Sequence, residues 1–452
     1  MTNRRNLITG SLALPFLPLS ACSRTASADN PYLQGNFGPI DSETTVADLP
    51  VTGSIPAELS GRFLRNGPNP RGEAEAGYHW FTGQGMVHGL RLNQGKAEWY
   101  RSRRVGGSGA NTNVIGVGGH TLAIVESGAL PQDLSYTLEN LGDNASIGTG
   151  YSAHPKLDPA TGELHAMCYD WANLRDHLRY VVVDPDGDLS RELAIPMDSM
   201  PMVHDMSLTE HYALIYDLPV TLSFLALGTG ASFPFRWDDE HEPRVGLLPR
   251  GGQATDIVWC PLTPNYAYHP MNAYENAAGE VVVDIVRYDR MFDQDVLGPF
   301  GDSKPRLDRW TINPATRTVS EQVIDERSQE FPRCHPQRNG RPYQYGYTVA
   351  FEDYGFPRIY KHDVRAGTAT EFSVGPGQHA AEPVFVPRQG AAAEDDGYLL
   401  TYVFDAGTQT SDLVILDARD LTRPPLARVH LPVRVPYGFH GNWVADSATV
   451  PA

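Results

Sequence analysis

Short apolar or alternating runs, each stopped by a glycine, proline or aspartate turn, recur along most of the chain. Residues 179–195, RYVVVDPDGDLSRELAI, read as a strand, a turn at Asp186-Gly187 and a second strand. Residues 279–292, GEVVVDIVRYDRMF, alternate an outward Asp284 and Arg287 with apolar neighbours, the pattern of a sheet with one wet face. The same strand-turn-strand rhythm returns at 358–375 (RIYKHDVRAGTATEFSVG) and 398–421 (YLLTYVFDAGTQTSDLVILDARDL). With 43 glycines and 36 prolines spread throughout, long helices are broken wherever they could start. The pattern predicts an all-β body, either a large barrel or a propeller, although no repeat of WD40 or kelch type is visible. Helix is expected only as a minority component, over residues 217–231 and in short connectors.

Composition adds bounds. A chain of 452 residues, 41% hydrophobic and 20% charged, is long enough to bury a large core and ordinary enough to be a soluble globular protein. After residue 30 there is no 20-residue apolar segment and no Gly/Ser or Pro linker, so residues 30–452 are expected to form a single domain. The net charge of −18, with no basic stripe, argues against nucleic acid, because tracking phosphates requires clustered Lys and Arg.

Residues 1–29 have a different character. Arg4 and Arg5 precede an apolar run from Leu7 to Leu19 and the sequence LSAC ending at Cys22. This is the layout of an export signal, with an arginine pair that suggests the Tat route. LSAC resembles a lipobox, which would make Cys22 the lipidated first residue of a bacterial lipoprotein; a plainly cleaved signal, periplasmic in outcome, is the other reading. The remaining cysteines, Cys168, Cys260 and Cys334, are widely spaced and offer neither a disulfide framework nor a zinc cluster.

Four of the 15 histidines keep different company from the rest: His154 in GYSAHPKLDP, His204 in PMVHDMSLTE, His269 in YAYHPMNAYE and His440 in YGFHGNWV. Each lies among apolar or small residues and near a turn-former or an acid, as at a strand end facing a closed centre. Taken singly, such a histidine is most often a structural residue. In a radial β fold, however, strands far apart in sequence converge on one axis, where a metal can collect one imidazole per blade. Imidazole suits Fe, Zn, Cu and Ni, and four neutral ligands on an octahedral metal leave two positions open.

The segments GRFLRNGPNP, HWFTGQGMVHGLRL, ANTNVI, AHPKLDPATGELH, VHDMSLTE, HPMNAYE, EFPR, AEPVFVP and FHGNWV occur in this order and together resemble the carotenoid cleavage oxygenase family over residues 35–445. The resemblance implies a seven-bladed β-propeller with a dome of loops and short helices. It also implies one non-haem Fe(II) per chain, held on the axis by His154, His204, His269 and His440, with His440 near the end because the last strand closes the ring and Gly441 leaves room near the metal. Glu126 in LAIVESG, Glu330 in QEFPR and Glu382 in AAEPVF match glutamates that orient the ligands, as carboxylates bonded to the outer ring nitrogen do in general. Thr112 in ANTNV matches a threonine whose methyl group crowds an open metal position and is placed with the catalytic residues.

The implied reaction is cleavage of a conjugated C=C bond by O₂ into two carbonyl products, with no reductant or organic cofactor; GVGGH lacks the strand-to-helix context of a dinucleotide fingerprint. Relatives that cut stilbenes or phenylpropenes have a lysine just before the first glutamate, at the phenol oxygen. Here that position is Val125, which suits a carotenoid or apocarotenoid better. A stilbene or phenylpropene oxygenase is the alternative, followed by a polyene isomerase and a binding propeller without catalysis. A lipid-dissolved substrate implies exposed apolar side chains at the cavity mouth and peripheral membrane contact.

Overall fold

The computed structural model describes residues 30–71, 77–107 and 109–446. Seven sheets are arranged as the blades of a β-propeller, and a two-stranded hairpin stands apart from them. The export-signal and lipobox readings fall on residues outside those described. In chain order the innermost strands are Asn113–Val117 (blade I), Lys156–Leu157 (II), Met206–Leu208 (III), Pro270–Glu275 (IV), Gln329–Cys334 (V), Val384–Pro387 (VI) and Gly441–Ala445 (VII). From each, antiparallel strands step outward to a polar edge such as Thr318–Asp325 in blade IV or Thr368–Ser373 in blade V, whose charges and threonines discourage pairing with another chain.

Both chain ends close the ring. Gly441–Ala445 pairs with Gly61–Pro68, from Arg65 opposite Gly441 to Gly61 opposite Ala445, so the C-terminal strand completes a blade made otherwise of N-terminal strands. In blade VI the exchange is reversed, and Val51–Gly53 adds to Ala427–His430. The register explains Gly441: a Cβ there would lie 2.6 Å from the Leu64 carbonyl oxygen. The glycine is therefore demanded by the neighbouring strand, not by room for the metal as the sequence suggested.

The apolar cores lie between blades. Val117, Leu122 and Ile124 of blade I pack against Leu164, Ala166 and Val181 of blade II, and Phe63, Leu90 and Tyr100 of blade VII pack against Val384, Leu400 and Leu413 of blade VI. Each of the valines, leucines, isoleucines and phenylalanines among them contributes roughly 1.5–3 kcal/mol by leaving water, which holds neighbouring blades together.

Packing on both faces corrects the reading of residues 279–292. Asp284 and Arg287 are buried, not outward. Asp284 accepts from Arg309 at 2.7 and 2.8 Å and from the Tyr343 hydroxyl at 2.5 Å, while Arg287 donates to the Pro264 carbonyl at 3.2 Å and pairs with Asp289. Alternation along a strand reports two faces but not whether the second is wet. The helix expected over 217–231 shrinks to Phe224–Gly228, capped by the Ser223 hydroxyl, because Val220–Leu222 instead pairs with Phe235–Trp237 as the separate hairpin. That hairpin, the short helices Pro31–Leu33 and Gly35–Phe37, and loops around Trp80 and Phe300 form the dome over one face of the ring.

Candidate metal centre

Each blade delivers one residue to the axis at the start of its innermost strand: Thr112 from blade I, His154 from II, His204 from III, His269 from IV, Glu330 from V, Glu382 from VI and His440 from VII. Glu126 joins them from the end of the second strand of blade I, His120–Ile124. Local sequence sets the approach. Pro155 and Pro270 hold His154 and His269 in extended backbone, since a residue before proline is driven out of the helical region. Ser127 and Phe331, immediately after Glu126 and Glu330, take positive φ angles of 58° and 53°. Non-glycine residues in that region are strained and cluster at sites the fold must over-determine.

The four histidines each offer a ring nitrogen within 4.8 Å of the others. The His269 Nδ1 lies 2.6 Å from Glu330 Oε2 and the His440 Nδ1 2.9 Å from Glu382 Oε1. His204 Nδ1 is 2.5 Å from Glu126 Oε1, a contact too bent to count as a hydrogen bond. Carboxylates at Nδ1 fix the Nδ1–H tautomer and turn the Nε2 lone pairs toward one another. The Nε2 atoms of His204 and His269 accordingly stand 3.2 Å apart, and the buried Nε2 of His154 has no hydrogen-bond partner. Converging lone pairs repel unless a cation lies between them, so this donor set fits a metal ion, with His154, His204, His269 and His440 as its ligands.

Burial, followed by the neighbouring rings, holds His154 and His269 well below the ordinary imidazole value; burial also lowers His440, against the pull of Glu382. All three are neutral at physiological pH, as metal binding requires. The glutamates differ in their surroundings. Burial pushes Glu330 up to about 8, against the opposing pull of the Phe331 N–H and the Tyr288 hydroxyl. Glu382 is equally buried, but the Arg333 guanidinium and the His440 ring outweigh burial and hold it down to about 2.

Each glutamate is held in turn by a further group that the sequence reading did not assign. Tyr169 donates to Glu126 Oε2 at 2.5 Å, Tyr288 donates to Glu330 Oε1 at 3.1 Å, and Arg333 grips Glu382 with Nε at 2.9 Å and Nη2 at 3.1 Å. His154 has no such carboxylate at hydrogen-bond distance. Its Nδ1 is 3.7 Å from Asp205 Oδ2, and that oxygen is taken by Lys156 Nζ at 2.8 Å. Asp205, Lys156 and Arg333 all stand inside those motifs, within three residues of residues singled out there, and that adjacency was their only signal.

The histidine ring separates two spaces. On the dome side is a cavity with walls that include Trp80, Phe81, Phe233, Tyr268, Phe331 and Phe439; Thr112 and Val125 also line it. The Thr112 hydroxyl is engaged by Asn111 Oδ1 at 2.8 Å. On the opposite face a wider space, open to solvent, runs past Lys156, Asp205, Arg333 and Asn442. Asp158, Glu163 and His165 also come together, but Arg250 reaches both Asp158 and His165 and supplies the positive charge there.

Fold and site define a class: a seven-bladed propeller with four imidazoles converging on its axis beneath an aromatic cavity, a donor set that fits a metal ion. The family model described as retinal pigment epithelial membrane protein matches residues 37–109 and 105–445, and the chain belongs to this family, that of the carotenoid cleavage oxygenases. It is 42% identical to the carotenoid cleavage oxygenase of Mycobacterium tuberculosis over 93% of this chain and 99% of that protein. It is 32% identical to the apocarotenoid-15,15'-oxygenase of a Synechocystis strain, over 94% of this chain and 98% of that one. Among solved structures, the lignostilbene dioxygenase of Pseudomonas brassicacearum superposes with a TM-score of 0.85 at 29% identity, over 92% of this chain and 99% of that one. A cobalt-substituted Synechocystis apocarotenoid oxygenase superposes with a TM-score of 0.83 at 30% identity, over 90% and 97% of the two chains.

Proposed function

We propose that this protein is an iron-dependent dioxygenase that cleaves a conjugated C=C bond of a carotenoid or apocarotenoid with O₂ to give two carbonyl products. The observation that carries this reading is the set of four inward-facing imidazoles beneath a cavity walled by aromatic rings. When bound there, Fe(II) supplies the activation of O₂ that a spin-paired alkene requires. The protein supplies the rest. Glu330 and Glu382 hold the Nδ1 atoms of His269 and His440, Glu126 lies against that of His204, and Tyr169, Tyr288 and Arg333 keep those carboxylates in place. The aromatic walls bind the polyene by its faces and exclude water, so the alkene is presented in one orientation. With the Thr112 hydroxyl turned to Asn111, its methyl group is left to crowd the ligand side of the cavity.

The stilbene or phenylpropene reading is favoured by the likeness to the lignostilbene dioxygenase, and Val125 speaks against it, because its side chain brings no cation to pair with a phenolate. The test is aerobic incubation with an apocarotenal, a C40 carotenoid, a 4-hydroxystilbene and a vinylphenol, with products read by mass spectrometry. Carbonyl products from a polyene support the proposal, and products from the phenols alone overturn the substrate class.

Membrane contact belongs to the same proposal. Phe224 and Leu225 are 65% and 81% exposed at the tip of the dome hairpin, whose Phe233 is a wall of the cavity. Two adjacent apolar side chains held in water beside a hydrophobic cavity suit a lipid surface. No helix of the described residues is long and apolar enough to cross a membrane. The anchor proposed from the sequence is separate: export followed by lipidation at Cys22, which lies outside the described residues. Cys22→Ala should move the protein out of membrane fractions, and unchanged partition would count against the anchor.

A further inference from the structure

Three tyrosines stand in the wall of the aromatic cavity, and two of them are already engaged: Tyr169 donates to Glu126 and Tyr288 to Glu330. The third, Tyr268, is only 3% exposed, and its hydroxyl has no hydrogen-bond partner among the described residues. It precedes His269, its ring meets His204 edge-on with centroids 5.1 Å apart, and it is wedged between Phe81 at 5.6 Å and Tyr266 at 4.9 Å. This packing leaves the ring little freedom to turn its hydroxyl elsewhere. A buried hydroxyl without a partner costs free energy, and a phenylalanine would fill the same space without that cost.

We propose that Tyr268 is a specificity residue whose hydroxyl donates to an oxygen atom of the substrate, so that the cavity selects conjugated alkenes bearing a carbonyl or hydroxyl group over plain hydrocarbons. The inference rests on the oxygenase reading above and adds to it the polar group the substrate must carry. Tyr268 brings to the wall a phenol hydroxyl that carries no net charge and is free to donate. A site built around one buried donor discriminates sharply against a ligand lacking the acceptor, because the donor is then left unpaired in the complex. The Trp80 indole N–H in this wall also has no partner among the described residues, and its ring packs on Phe439 at 4.7 Å.

The test uses the full-length metal-loaded protein and its Tyr268→Phe variant. Both are titrated without oxygen with an apocarotenal and with a hydrocarbon polyene of equal length, and the dissociation constants are read from quenching of tryptophan fluorescence. Wild type should favour the aldehyde, and Tyr268→Phe should reduce that preference by about tenfold or more. The ligand-free variant should also melt at a higher temperature than wild type, since an unpaired hydroxyl has been removed. An unchanged preference, or equal weakening for both polyenes together with a lower melting temperature, would overturn the proposal. Admitting air to the same samples then reads the oxygenase assignment separately, through the appearance or absence of cleavage products.

Discussion

The Nε2 atoms of His204 and His269 face each other across 3.2 Å, while the outer nitrogen of each ring lies against a glutamate. Two lone pairs held this way by separate blades are a built-in strain that a cation relieves, so metal binding and folding should be linked. Chelation should lower the urea midpoint and added Fe(II) should restore it, by about 2.7 kcal/mol when free metal is a hundred times its Kd. The check is equilibrium unfolding at fixed protein concentration with and without metal. A midpoint indifferent to metal would mean that the rings satisfy one another.

Among the described residues Arg333 is the one arginine or lysine paired with Glu382, and it also donates to Asn442 Oδ1 at 3.3 Å. Arg333→Met should leave a buried carboxylate uncompensated and cost about 3–5 kcal/mol of stability. It should also release metal faster, because His440 loses its fixed partner. Denaturant unfolding and the rate of metal transfer to a coloured chelator read the two effects.

Val125 stands next to Glu126 in the cavity wall. Val125→Lys places an ammonium where the wall is uncharged, so turnover of a polyene should fall at least about tenfold while binding of a 4-hydroxystilbene improves. Parallel kcat/KM measurements on the two substrates check this. A loss on both, with metal content retained, would mean that the position supports the wall without selecting substrate.

Acid should destabilise the protein through histidines away from the metal. Burial and then Arg236 hold His79 down to about 3, and burial with Arg65 and Arg434 does the same to His88. His165 and His362 are lowered to about 4, again chiefly by burial. Below the ordinary histidine value of about 6.5 the unfolded chain takes up protons that these folded sites refuse, so stability is present above that pH and is lost as pH falls toward 4. Each group contributes a slope of up to about 1.4 kcal/mol per pH unit. Glu330, raised to about 8, works in the opposite direction, one group against four. Urea midpoints of the metal-free protein should therefore fall between pH 7 and pH 5.

The all-β class was legible from the hairpins, because turn chemistry at Asp186-Gly187 and the apolar runs around it are local signals. The site was legible only through its motifs. Each axial residue comes from a different blade, so no two share a spacing, and His154, His204, His269 and His440 carry no periodic signature. The burial of Asp284 and Arg287 was hidden because a blade has two packed faces, which alternation alone cannot tell from one packed and one wet. Tyr169, Tyr288 and Arg333 were missed because each acts through a glutamate contributed by another strand, a relation that exists only after folding. The helix expected at 217–231 failed where Val220–Leu222 found a β partner in Phe235–Trp237, an outcome that propensity does not foresee.

The most direct test of the account is the mass balance of one reaction: iron-loaded protein, an apocarotenal and ¹⁸O₂, with all products identified by mass spectrometry. Two carbonyl fragments whose combined composition equals substrate plus O₂ are expected. An unchanged aldehyde, or an isomer of the same mass, would contradict the assignment of this propeller as an alkene-cleaving dioxygenase.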